Sequence, residues 1–129
     1  MDDWQTEVVE LHEYFEGYLG GALPADQTSR MTDAFADEFT MVDPGGSVTD
    51  GPSIVAAISG QHGQHAGLTM WITDFDLIAE TGEHVIGRYI EHQKVGEGGN
   101  QRWVTVVFRK VDAAPNGLHW LALHETWLP

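Results

Sequence analysis

The sequence predicts a single α+β domain in which helices come first and one antiparallel sheet follows. Two observations carry this expectation. Apolar residues recur at helical spacing through the first part of the chain, and from Leu68 onward the period falls to that of strands. Four strand-like runs are then separated only by short turn-forming stretches, and connections that short require antiparallel hairpins. The 129 residues suit one domain, 1–129, with one sizeable core.

The first element is a helix. Trp4, Val8, Leu11, Phe15, Tyr18 and Leu19 lie at helical spacing. Asp2 or Asp3 is its N-cap, and Glu7, Glu10, Glu13 and Glu16 fall mostly on other faces. Gly20-Gly21 ends it. A second helix is expected after Pro24, capped by Asp26, with Met31, Phe35 and Phe39 at i, i+4 and i+8. A short strand over 39–42 leads into the turn Asp43-Pro44-Gly45-Gly46, and a brief extended piece covers 47–49. Asp50-Gly51-Pro52 opens a third helix whose apolar side is Ile54, Val55 and Ile58. Residues 59–67 are glycine-rich and read as a loop.

The strands are expected at 68–79, 84–94, 101–111 and 118–128. With Lys94 placed opposite Gln101, one face holds Val85, Gly87, Tyr89, Glu91, Arg102, Val104, Val106 and Phe108. The other face holds Ile86, Arg88, Ile90, His92, Trp103, Thr105 and Val107. Both faces carry large apolar groups, and one helix layer covers only one of them. The second is therefore expected to meet another copy, giving a homodimer through the sheet.

Composition narrows the partners. There are 20 Asp+Glu against 6 Lys+Arg, a formal charge of −14, which argues against nucleic acid and anionic membranes. No apolar run is long enough to span a bilayer, and the acidic start lacks the layout of a signal peptide, so a soluble cytoplasmic protein is expected. The chain has no cysteine, which removes disulfides, thiolate metal sites and thiol catalysis together. Only Lys94 and Lys110 are lysines. High acid with so little lysine suits either high intracellular salt or an ordinary acidic bacterial protein.

The segment from Ala34 to Gly51, AFADEFTMVDPGGSVTDG, resembles the signature of the nuclear transport factor 2-like superfamily, which includes SnoaL-like cyclases and ketosteroid isomerases. The C-terminal run, Arg102–Lys110 and then Gly117–Trp127, is similar to the last two strands of the branch without assigned function. The resemblance implies a cystatin-like α+β roll: a curved antiparallel sheet wrapped around N-terminal helices into a cone, with a ligand-sized cavity at the open end. It also implies that Asp43, followed by Pro44, occupies the catalytic-base position of the isomerase-like members. The alternative role for Asp43 is to cap its own turn. Tyr14 and Tyr18 compete for the phenol that those members project from the first helix. The isomerases' second acid lies two residues before an aromatic-arginine pair. With Phe108-Arg109 as that pair the position is Val106, so steroid isomerisation is not expected.

The inward-facing candidates for a binding pocket are Phe35, Tyr89, Val106, Phe108 and Trp127, with Glu91, Arg102 and Glu125 as polar groups. The last strand's Leu121, Leu123, Glu125 and Trp127 are expected to face inward together. Two carboxylates and a guanidinium at one pocket either bind a polar head group, supply a base whose pKa the carboxylate pair raises, or form an interior ion pair.

No metal or other cofactor is expected. His119 and His124, five apart on a strand, are expected on opposite faces, His84 and His92 lie too far apart, and His62 and His65 sit in a loop without a third ligand. No nucleophile elbow or phosphate-cradling glycine-lysine motif is present, and Gly96, Gly98 and Gly99 form a hairpin tip. The functional expectation is a pocket for a small apolar or carbonyl-containing molecule. If catalytic, it would run an isomerase, cyclase or dehydratase type of proton transfer. The rival is a non-catalytic binding or dimerisation module.

Overall fold

A computed structural model describes all 129 residues. The elements are α1 (Asp3–Gly20), α2 (Ser29–Thr32), β1 (Phe35–Val42), β2 (Val48–Asp50), α3 (Gly51–Ser59), β3 (Leu68–Glu80), β4 (His84–Val95), β5 (Gly98–Lys110), a 3₁₀ turn (Pro115–Gly117) and β6 (Leu118–Trp127). They form the α+β cone: one six-stranded sheet in the order β2-β1-β6-β5-β4-β3 packs against α1.

α1 is an amphipathic helix with two charged residues on its buried stripe. Trp4, Val8, Leu11, Tyr14 and Tyr18 are buried, and so are Glu7 and His12, which recur at the same spacing. Glu7 therefore does not share the outer faces of the other glutamates. It is fully buried and accepts four hydrogen bonds: two from Arg30 (2.7 and 3.2 Å), one from Asn116 Nδ2 (2.9 Å) and one from Trp120 Nε1 (2.9 Å). At the N-terminus the Gln5 side chain accepts from the Asp2 backbone N–H at 3.1 Å. Gly21, at φ 89°, ends the helix in the left-handed conformation that favours glycine.

Against this stripe the sheet presents Val85, Tyr89, Val104, Val106 and Phe108, so the face set expected to be inward is the inward one. Gly87 is part of the fit: a Cβ there would lie 2.5 Å from Cζ3 of Trp4, so the indole occupies the space of a missing side chain.

Four details differ from the sequence expectation. The second helix is a single turn, and Phe35 and Phe39 lie on β1. A spacing of four is shared by one helix face and one strand face, so it does not separate the two. The sheet is antiparallel except at β1–β6, which pair in parallel because β6 returns after the whole meander. The β4–β5 register is tighter than the trial one: Lys94 faces Gly99 and Glu91 faces Arg102, because Gly98, Gly99 and Asn100 pair and only Gly96-Glu97 turn. That is a shift of two residues, which leaves every side chain on its expected face.

The fourth difference is a β-bulge in β6. Phe108 faces Trp120 while Val107 faces Ala122, so Leu121 is the extra residue. Trp120 takes the inward place instead of Leu121, and the phase then recovers so that Leu123 and Glu125 face inward. The same bulge puts His119 (opposite Arg109) and His124 (opposite Thr105) on one face rather than two. No helix is long and apolar enough to cross a membrane.

Glu7→Gln leaves the mostly buried Arg30 guanidinium without its bidentate carboxylate. It is expected to cost about 3 kcal/mol, at the lower end for a broken buried pair. Urea unfolding with unchanged slope reads this directly; a loss under about 1 kcal/mol would show that Glu7 does not anchor α1.

Candidate functional site

A cavity of about 210 Å³ opens between the second half of α1, α3 and the sheet. Eleven of its sixteen lining residues are apolar. Phe15 and Leu19 come from α1, Phe35 and Phe39 from β1, and Ile54 and Ile58 from α3. The five polar ones are His12, Glu91, Gln93, Arg102 and Glu125, and all but His12 belong to the three adjacent strands β4, β5 and β6. Glu91 lies directly opposite Arg102, and Arg102 is diagonal to Glu125, which faces Val104. His12 reaches this wall from α1.

Hydrogen bonding fixes the charges. His12 Nδ1 lies 2.7 Å from the Val8 carbonyl and Nε2 lies 2.9 Å from Glu91 Oε1. Both partners are acceptors, so the ring donates through both nitrogens as an imidazolium. Burial opposes that charge most strongly, yet the adjacent Glu91 carboxylate and the Val8 carbonyl raise the His12 pKa. Glu91 shows the mirror image: burial pushes it up, but His12, Gln93 and Arg102 together hold it at about 2. Gln93 Nε2 donates to Glu91 Oε2 at 2.6 Å. Glu125 has weaker support. Burial and then the Glu91 charge raise it to about 7, and Arg102, donating from Nη1 at 3.2 Å, offsets only part of this. The wall thus pairs a settled ion pair, His12–Glu91, with a carboxyl group that titrates near neutrality.

Of the residues expected at the pocket, Phe35, Glu91, Arg102 and Glu125 line it. Val106 and Phe108 are fully buried in the core beneath it. Tyr89 is there too; its hydroxyl has no hydrogen-bond partner, and burial, then Glu91 and Glu125, raise its pKa well above the usual value. Trp127 is half exposed at the rim, where the Arg102 guanidinium lies 4.6 Å from its ring centre.

Asp43 and the two tyrosines are placed elsewhere. Asp43 Oδ1 accepts from the Gly45 and Ser47 backbone N–H groups, each at 3.0 Å, so its carboxylate is engaged in capping its own turn. The Tyr14 hydroxyl donates to the Gln27 carbonyl (2.6 Å) and that of Tyr18 to the Ala25 carbonyl (2.8 Å). Both phenols thereby pin the α1–α2 connection rather than the cavity. His12 is the residue that sequence reasoning missed. Its signal was its spacing, four residues after Val8 and three before Phe15. No three His, Asp or Glu side chains converge in a way that would hold a metal ion. The His62 and His65 rings instead contact the Leu23 carbonyl and the Gln61 side chain.

No protein-family model and no curated protein matches the chain. Solved structures do. The chain is similar to a nuclear transport factor 2-like protein of unknown function from Pseudomonas aeruginosa, with 28% identity, TM-score 0.90, and coverage of 98% of this chain and 99% of that one. A nuclear transport factor 2-like protein of unknown function in nutrient uptake, from Rhodospirillum rubrum, is 17% identical over 93% of this chain and 98% of its own, with TM-score 0.63. The CaMKII hub of S. rosetta is 14% identical over 81% of this chain and 83% of its own, with TM-score 0.65. The last two share the fold alone. The chain has the nuclear transport factor 2-like fold, and its similar structures include members without assigned function.

The pH dependence of stability follows from the wall. Glu125 keeps its proton up to about pH 7 when folded and loses it near 4.5 when unfolded, so stability falls as pH rises between those values. Glu91 contributes fully above about 4.5, and its contribution is lost as pH falls toward 2. The contribution of His12 is full below 6.5 and is lost as pH rises through its raised folded pKa. Melting temperature is therefore expected to peak near about pH 5. Glu125→Gln is expected to remove the decline between 4.5 and 7 and to be about 3 kcal/mol more stable than the parent at pH 8. An unchanged pH profile in that variant would exclude Glu125 as the titrating group.

Proposed function

We propose that the cavity receives a small, largely apolar molecule bearing a carbonyl oxygen, and that Glu125 exchanges a proton with that ligand. The observation that supports this best is the segregation of the cavity: apolar residues on its other walls, and nearly all its polar groups gathered on three neighbouring strands. At about 210 Å³ it is smaller than the roughly 300–1,000 Å³ of sites for drug-sized ligands, which favours a small ligand over a polycyclic one.

The roles follow from the charges. Arg102 has N–H groups to orient a ligand oxygen, Glu125 at about 7 is suited to give or take a proton at neutral pH, and the His12–Glu91 pair holds Glu91 ionised. An isomerase, cyclase or dehydratase type of reaction beside a carbonyl is the activity this chemistry favours. In this assignment Glu125 takes the acid–base role expected of Asp43, because the Asp43 carboxylate is occupied by its turn.

A thermal-shift screen of small carbonyl compounds, with native mass spectrometry for co-purifying ligands, tests the proposal. A ligand present at a hundredfold excess over its Kd is expected to add about 2.7 kcal/mol of stability. Arg102→Gln is expected to abolish that gain and Asp43→Asn to keep it. A gain lost in Asp43→Asn and kept in Arg102→Gln would reverse the assignment.

A second reading concerns assembly, and the outer sheet face favours it. Trp71 is 41% exposed there, and Ile86, Trp103 and Val107 are only half-buried. Some similar structures carry association-domain or hub names, among them the S. rosetta hub and a calcium/calmodulin-dependent kinase II association domain from Thiobacillus denitrificans. We propose self-association as a homodimer through this face. Sedimentation at micromolar concentration is expected to give a dimer that Trp103→Glu converts to monomer; a monomeric parent would remove the proposal.

A further inference from the structure

We propose that the polar wall of the cavity is a receptor for a monocarboxylate with a short apolar tail, its carboxylate held by Arg102 while Glu125 is protonated. This deepens the preceding proposal and rests on its premise that the cavity is a ligand site.

The under-coordination of Arg102 carries the inference. A guanidinium has five N–H donors, and this one makes two hydrogen bonds, to Glu125 Oε1 at 3.2 Å and to Asn100 Oδ1 at 3.1 Å. Its Nε is 3.9 Å from Glu91 Oε2 and has no hydrogen-bond partner. The contact to Glu125 is single and long for a charge-assisted bond, which runs at about 2.7–2.9 Å. Glu91 does not supply what is missing, because its Oε2 lies beyond hydrogen-bond reach of Nε and is already bonded to Gln93. A planar fork of donors beside an apolar cavity matches a carboxylate and its hydrocarbon tail.

Charge balance selects the monoanion. Four charged groups face one another here: His12 from α1, Glu91 from β4, Arg102 from β5 and Glu125 from β6. Tyr89, also on β4, stays neutral because its pKa is raised. His12 and Glu91 cancel, leaving Arg102 with either Glu125 or an incoming anion as counter-ion. Glu125 ionised and a carboxylate bound would put two negative charges against one guanidinium. Binding therefore takes up one proton onto Glu125, which then donates a hydrogen bond to the carboxylate. A phosphate or other dianion would exceed the single positive charge available.

Hexanoate and its neutral isostere hexanamide are the probes, followed by titration calorimetry from about pH 6 to 9 in two buffers of different ionisation enthalpy. Near pH 6 hexanoate is expected to bind at least about tenfold tighter than hexanamide. Above pH 7 its affinity is expected to fall by up to about tenfold per unit, with uptake approaching one proton, while hexanamide stays flat. In Glu125→Gln the hexanoate affinity no longer falls over that range. The proton uptake of the parent protein decides the matter even if the variant folds poorly. Hexanamide binding as tightly as hexanoate, or hexanoate binding without proton uptake, would overturn the carboxylate receptor while leaving a ligand cavity. Failure of both probes and of the neutral carbonyl screen would overturn both proposals.

Discussion

The central helix has to bury two charged side chains, and much of the remaining architecture depends on how they are paired. An apolar stripe alone packs almost as well after sliding or rotating, since Trp, Leu and Tyr contacts are not directional. Glu7 and His12 add direction. The Glu7 carboxylate gathers Arg30 from α2, Asn116 from the 3₁₀ turn and Trp120 from β6 onto one point, while His12 binds Glu91 on β4. One helix is thereby tied to four separate parts of the chain. Each pair also carries a desolvation cost, so their contribution is to set the depth and rotation of α1 at least as much as to stabilise it.

The polar wall of the cavity is a consequence of that placement. With α1 at this depth the imidazolium meets Glu91 and holds it ionised. The same negative charge, together with burial, weakens the hold of Glu125 on its own charge. Two carboxyl groups on the strands that flank β5 thus titrate at about 2 and about 7, because one has a cationic partner at 2.9 Å and the other has a single arginine contact at 3.2 Å. The wall is also incompletely satisfied, as the unpartnered Arg102 Nε shows. A fully paired network would be more stable but would have nothing to offer a ligand.

The acidic surplus has a different place in the structure. Five of the six basic side chains are paired: Arg30 with Glu7, Arg88 with Asp76, Arg102 with Glu125, Arg109 with Glu38 and Lys110 with Glu80. Three of these are surface pairs, weak because solvent and salt screen them. Twelve of the 20 acids lie in the first 50 residues, so the excess negative charge is concentrated on the helical shell and β1 rather than on the meander.

Local sequence determined the element order, the limits of the four long strands to within three residues, the turn at Asp43 and which residues share a sheet face. These survive because they rest on short-range periodicity, and an error of two in strand register changes no side chain's face. Glu91, Arg102 and Glu125 could be grouped for the same reason. Tertiary structure decided the rest. Phe35 and Phe39 satisfy helix and strand spacing equally, and only pairing with β6 made them a strand. The bulge at Leu121, which brings Trp120 inward while keeping Glu125 inward, appears only when β6 is laid against β5. His12 acquires its charge from a residue 79 positions away, and no local pattern specifies which strand a helix will face. The site is therefore half legible in the sequence: alternation groups the strand residues, and only the docking of α1 supplies the cation that sets them apart.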